Sequence, residues 1–246
     1  MNKNIIRIYG DSLSMPRAAA GISFQDTYGE KLKRELLEKS GIDYVLYNRS
    51  NGSRTVVTTL QLITTDDIYF GKNGENSIVI IQVGLCDLAP RPVPQKVRNK
   101  ISKLPSILKD IIIKFLHNNR KYIQKYKYFQ LVSPKDFEIQ YNEMLKICST
   151  EFEKVICINV PPTHPETEEH TPELSINIER YNEIIARLVK NNEYRHVYLA
   201  DVNKILAEKC KNGEDLHDYI LDDGQHITIK GNELYKNILI DIISDR

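Results

Sequence analysis

The feature that most constrains this chain is the run at 77–83, Ser-Ile-Val-Ile-Ile-Gln-Val, which is apolar almost throughout. A strand with one solvated face alternates apolar and polar side chains, whereas a strand covered on both faces reads as a continuous apolar stretch. Shorter apolar runs lie at 5–9, 44–47, 154–160 and 196–200, and segments of helical period separate them. Five strands alternating with helices imply a parallel sheet with helices on both faces. Helices are expected at about 27–39, 96–128 with a break at Pro105, 134–150, 174–191, from Val202 onward and 228–244. A further helix is read at 56–65, against the β-branched composition of that stretch.

No repeat, low-complexity tract or linker divides the chain, so a single domain over residues 1–246 is expected, and 41% hydrophobic residues give it a real core. No run approaches the length of a transmembrane helix. Met1-Asn2-Lys3-Asn4 leads into the first strand without an apolar leader, and Cys86, Cys148, Cys157 and Cys210 form no CxxC pair. A cytoplasmic, reducing location is the expectation, with Cys148 and Cys157 as buried thiols. The histidines and cysteines show no metal-ligand spacing.

The first strand stops at Gly10-Asp11-Ser12-Leu13, so a hydroxyl sits where a strand of an open α/β sheet ends and ligands bind. The same tripeptide is also ordinary turn and helix-cap chemistry. A serine becomes a nucleophile only with a base, and the base needs a third group to orient it. Asp223-Gly224-Gln225-His226 offers both near the other end of the chain, at a spacing that lets the carboxylate meet one ring nitrogen while the other faces outward. Asp222 is an alternative acid, and His117, His164, His170, His196 and His217 read as surface residues.

Together these blocks resemble the first and last motifs of the SGNH, or GDSL, hydrolases. The resemblance implies a flavodoxin-like three-layer αβα sandwich around a five-stranded parallel sheet, with hydrolysis of acetyl or other short acyl esters. In that reading Ser12 is nucleophile, His226 general base and Asp223 its partner, and no metal or cofactor is needed. The implied oxyanion hole uses the Ser12 N–H, the N–H of Gly52 (or Ser53, after a one-residue shift) and an asparagine. Here Gly84-Leu85-Cys86-Asp87 stands where the family has Gly-x-Asn-Asp, so Cys86, a poor donor, replaces the amide. Cys86 can also be read as a nucleophile of its own. Asn51, Arg54 and Arg91 are candidates to substitute for the asparagine, and with Asp11 and Asp87 they complete the substrate-binding candidates. Asp11 and Asp87 are also read as acceptors for loop backbone. A small-molecule or saccharide ester is the expected substrate; an O-acyltransferase acting on a polysaccharide precursor and a catalytically degenerate glycan-binding module are the competing readings.

A basic helical insertion is expected at about 91–134. It carries eleven Lys and Arg against the single acid Asp110, a local charge of +10 that leaves −9 for the rest of a chain whose net charge is +1. Ile107, Leu108, Ile111, Ile112, Phe115 and Leu116 give it an apolar helical face, followed by Tyr122, Tyr126, Tyr128 and Phe129. One reading packs this face on the sheet. The other makes the segment a lid that attracts an anionic substrate or an anionic membrane surface. Nucleic acid is not expected, because no recognition motif accompanies the charge.

Overall fold

The computed structural model describes residues 4–70, 76–191, 193 and 196–244. Its sheet holds five strands, β1 (Ile5–Gly10), β2 (Val45–Asn48), β3 (Ser77–Gln82), β4 (Lys154–Ile158) and β5 (Val197–Ala200), in the order β2-β1-β3-β4-β5. All neighbours are parallel. The helices are α1 (Tyr28–Ser40), α2 (Val56–Phe70), α3 (Leu85–Leu88), α4 (Gln95–Ile101), α5 (Ser106–Asn118), α6 (Arg120–Tyr126), α7 (Pro134–Glu151), α8 (Pro165–His170), α9 (Leu174–Lys190), α10 (Val202–Lys211) and α11 (Ile229–Ser244). The expected α/β class and flavodoxin-like strand order are both present.

Strand alternation sorts the core into two layers. Ile6, Ile8, Ile78, Ile80, Ile156 and Ile158 face one side, where Leu32 of α1, Leu206 of α10 and Leu239 of α11 cover them. Tyr9, Val79, Ile81, Val155 and Cys157 face the other, against Ile63 of α2, Tyr141 and Met144 of α7 and Tyr181 of α9. Every residue of β3 is buried, as its unbroken apolar run requires. Cys148 and Cys157 are buried free thiols.

A buried polar cluster ties α2 to the sheet. The Arg49 guanidinium donates to both oxygens of Asp66 at 2.7 and 2.9 Å, and Tyr9 Oη donates to the same carboxylate at 3.1 Å. Asp66 is 1% exposed, so losing this bidentate partner would leave a buried carboxylate with, among the described residues, no ion-pair partner and only the Tyr9 hydroxyl as donor.

The insertion departs from the packed-helix reading. It breaks twice: around Pro105, as expected, and again at Asn119, whose side-chain amide donates to the Phe115 carbonyl at 2.9 Å and closes α5. No residue of α5 is buried, and α6 is its main helical neighbour. Among the described residues, the sheet's faces are covered by α2, α7 and α9 on one side and by α1, α10 and α11 on the other, so the sheet itself does not receive α5.

Truncation should separate these two kinds of apolar residue. Ile156→Ala, in the central layer, is expected to lower unfolding stability by about 2–5 kcal/mol. Ile111→Ala in α5 should change it by less than about 0.5 kcal/mol. Urea unfolding of both variants checks the contrast.

Candidate active site

The site lies where β1 and β3 end side by side, with β2 leaving to one edge and β4 following on the other, the switch point of the sheet. Asp11 caps a short 3₁₀ turn at Ser12–Ser14 by accepting the Leu13 N–H at 3.0 Å. Capping is therefore the work of the aspartate, and the serine next to it points elsewhere. Ser12 Oγ is 2.8 Å from His226 Nε2, and His226 Nδ1 is 2.7 Å from Asp223 Oδ2. A proton on Nδ1 faces the carboxylate, which leaves the Nε2 lone pair for the serine O–H. The His226 side chain is 14% exposed and that of Asp223 is 42% exposed.

Asp223 is held by more than the ring. Its Oδ1 accepts the backbone N–H groups of Gln225 and His226 at 3.0 and 2.9 Å. Partial burial pushes this carboxyl up, but the hydrogen bonds from His226 and the two amides outweigh it and hold the group well below the usual carboxylate range. Gly224 has φ +70°, and a Cβ there would lie 1.7 Å from Thr167 Oγ1, so only glycine fits. Thr163 donates to the Gly224 carbonyl at 2.6 Å, and His164 Nε2 lies within 3.2 Å of the carbonyls of Ile220 and Leu221. The loop after β4 thus clamps the loop that carries His226. His164 is 2% exposed, which corrects its reading as a surface residue: its ring is occupied by backbone carbonyls. Asp222 is fully exposed and faces His217, away from His226.

A cavity of about 340 Å³ opens beside Ser12 and His226, lined also by Arg17, Gly52, Ser53, Leu85, Cys86, Ala89, Arg91 and Gln225. Gly52 and Ser53 both line it, and Ser53 adopts the left-handed conformation with φ +61°. Asn51 and Arg54 are not among the lining residues. The Asn51 N–H is spent on the Gly10 carbonyl, and Arg54 turns toward the Thr58 carbonyl. Asp11 and Asp87 correct the substrate-binding reading as well. At 1% and 0% exposure they lie beneath the loops, and Asp87 accepts the Val56 N–H at 3.0 Å. That contact and the Arg49–Asp66 pair fix the 49–55 loop at both ends.

Cys86 does line the cavity. Burial, with the nearby Asp11 and Asp87 carboxyls, pushes its thiol up to about 12, which removes the thiolate on which the cysteine-nucleophile reading depends. Arg91 stands next to it and donates to the Cys86 carbonyl at 3.4 Å, while its buried Nε has no partner. Arg17 approaches Asp223 at 3.8 Å. Sequence reasoning passed over Arg17, Leu85, Ala89 and Gln225. Arg17 reaches the site through a bridge between its own backbone and Ile22, a pairing that no local pattern announces. Among the described residues, His164, Glu166 and His217 bring three ligating atoms within 4.8 Å of one another. The two rings stack 3.8 Å apart at 10°, so their in-plane lone pairs run side by side, and a shared ion would need one ring to turn.

No family model and no curated protein matches the sequence. The fold does match solved structures along almost its whole length. A lipase/acylhydrolase from Enterococcus faecalis aligns with TM-score 0.64 at 12% identity, covering 98% of this chain and 95% of that one. A member of the lipolytic G-D-S-L family from Veillonella parvula aligns with TM-score 0.62 at 11% identity, covering 98% of each chain. The chain has the GDSL acylhydrolase fold. An acetyl xylan esterase shares this GDSL fold with TM-score 0.62 at 20% identity, over 97% of this chain and 99% of that one. None of the helices described is long and apolar enough to cross a membrane.

Burial pushes the Asp11 carboxyl up to about 7 and the Asp87 carboxyl up to about 8, and Asp11 adds to the effect on Asp87. An acid whose folded-state affinity for its proton is raised stabilises the fold at low pH and loses that contribution as pH rises from about 4 through about 8. Asp87→Asn keeps an acceptor for Val56 and has no charge to bury. It is expected to flatten the fall in Tm between about pH 5 and about pH 8, read by thermal unfolding at each pH.

Proposed function

We propose that the protein is a serine esterase that cleaves O-acetyl or other short acyl esters of a carbohydrate-like alcohol. Ser12 attacks the ester carbonyl while His226 takes its proton, and Asp223 holds the imidazole and stabilises its protonated form. His226 then returns the proton to the departing alcohol, and a water activated by the same ring hydrolyses the acyl-serine. The observation that carries this reading is the continuous contact from Ser12 Oγ to His226 at 2.8 Å and from His226 to Asp223 at 2.7 Å.

The substrate class rests on the cavity. Leu85 and Ala89 form a small apolar wall suited to a short acyl group, and the shared fold with an acetyl xylan esterase favours an acetylated saccharide. Arg17 and Arg91, which also line the cavity, favour a substrate bearing negative charge. The N–H groups of Ser12 and Gly52 serve as oxyanion donors. Arg91 supplies positive charge beside Cys86, where an amide donor is missing.

A fluorophosphonate probe is expected to label the wild type and not Ser12→Ala, and Ser12→Ala should lower p-nitrophenyl acetate turnover by roughly a thousandfold or more. Labelling that persists in Ser12→Ala, or a folded wild type that neither labels nor turns over, overturns the reading. Cys86→Asn restores an amide donor and should raise kcat by about tenfold with KM little changed, because the new hydrogen bond strengthens as the oxyanion forms.

A further inference from the structure

The insertion leaves apolar side chains in water. In α5, Ile107, Ile111 and Phe115 recur at intervals of four and are 75%, 60% and 60% exposed, with Leu108 beside them at 51%. That spacing puts them on one stripe of the helix. In α6, Tyr122 and Tyr126 are 70% and 88% exposed, also four apart, next to the exposed Lys121 and Lys125. Scattered exposed apolar residues are ordinary, but stripes of them at helical spacing on two helices in contact mark a surface that something covers.

Charge selects the occupant. The eleven basic residues of the segment face the single acid Asp110, and among the described residues none of the eleven is in an ion pair with a carboxylate. A second copy docking through the same face would set +10 against +10. Nucleic acid matches the charge and not the apolar stripe. An anionic lipid surface matches both: the apolar stripe enters the acyl boundary, tyrosines sit at headgroup depth and lysines reach the phosphates. At 13 residues α5 is too short to span a bilayer, which fits a helix lying in the interface.

We infer that α5 and α6 form a docking face for an anionic lipid surface. This face is anchored at the rim of the cavity. Arg120 and Gln124 each donate to the Pro90 carbonyl at 2.8 Å, and Arg91 and Phe129 exchange backbone hydrogen bonds at 2.8 and 3.0 Å. Docking therefore brings the cavity to the membrane surface, where acyl esters presented by lipids or lipid-linked saccharides are concentrated.

Sedimentation of the full chain with phosphatidylcholine vesicles, with and without phosphatidylglycerol, tests the inference. The wild type should pellet with the phosphatidylglycerol vesicles and not with phosphatidylcholine alone. Ile111→Asp with Phe115→Asp, and separately Lys121→Glu with Lys125→Glu, should each weaken binding by about tenfold or more. These side chains are exposed, so Tm should hold in both variants. Ser12→Ala should bind vesicles as the wild type does, which keeps this test separate from that of the proposed esterase. A wild type that stays in the supernatant with phosphatidylglycerol overturns the inference, as does an aspartate variant that pellets undiminished. Light scattering that finds a wild-type dimer, dissociated by the same aspartates, overturns it in favour of self-association.

Discussion

The contact between Ser12 Oγ and His226 Nε2 joins side chains 214 positions apart in sequence, and the proposed chemistry depends on it. Closing a loop of that length costs about 5 kcal/mol from chain length alone. One hydrogen bond returns about 0.5–1.5 kcal/mol, so the contact cannot hold itself together. The layer beneath does so. Helices α1 and α11 pack on the same face of the sheet, where Tyr28, Leu32, Tyr235 and Leu239 are buried. The Tyr28 N–H donates to Asn232 Oδ1 at 2.8 Å, joining the start of α1 to the first turn of α11, the helix that follows His226. The serine and the histidine meet because β1, which ends just before Ser12, and α11, which starts just after His226, belong to the same packed layer.

The charges near the site divide by depth. Asp11, Asp87 and Asp66 lie under the loops and hold backbone or arginine partners; Arg17 and Arg91 line the cavity itself. A buried carboxylate is costly unless it is satisfied, and Asp11 Oδ2 has no partner, which is consistent with a proton resting there near neutral pH. The result is a cavity whose exposed charge is cationic and whose acidic groups act as braces for loops. Cys86 belongs to this arrangement as a neutral thiol between the buried acids and Arg91.

The Ser12, Asp223 and His226 set was legible because local chemistry marks each member: a hydroxyl at a strand end, and a carboxylate three residues before an imidazole around a glycine that must turn. Asn51 and Arg54 were misjudged because the loop's own fold places them outside the cavity lining: the Asn51 backbone is held by the Gly10 carbonyl and the Arg54 guanidinium leans on the Thr58 carbonyl. His164 was misjudged because a buried imidazole looks like a surface one until the carbonyls of Ile220 and Leu221 are found on its ring. The apolar face of α5 has the periodicity of a core helix, and periodicity reports which side chains share a face, never what covers that face.

The sequence by itself determined the α/β class, the number and parallel sense of the strands, and the residues proposed here to carry acyl chemistry. These follow from local rules: unbroken apolar runs need cover on both faces, and turn residues mark where each run ends. Only the tertiary structure decided that Ser12 and His226 touch, that Arg17 reaches the cavity, that Asp11 and Asp87 are buried beneath the loops and that α5 buries none of its residues. Each of these depends on which surfaces remain free after the sheet and its two helical layers have formed, a property of the packed whole that no single segment encodes.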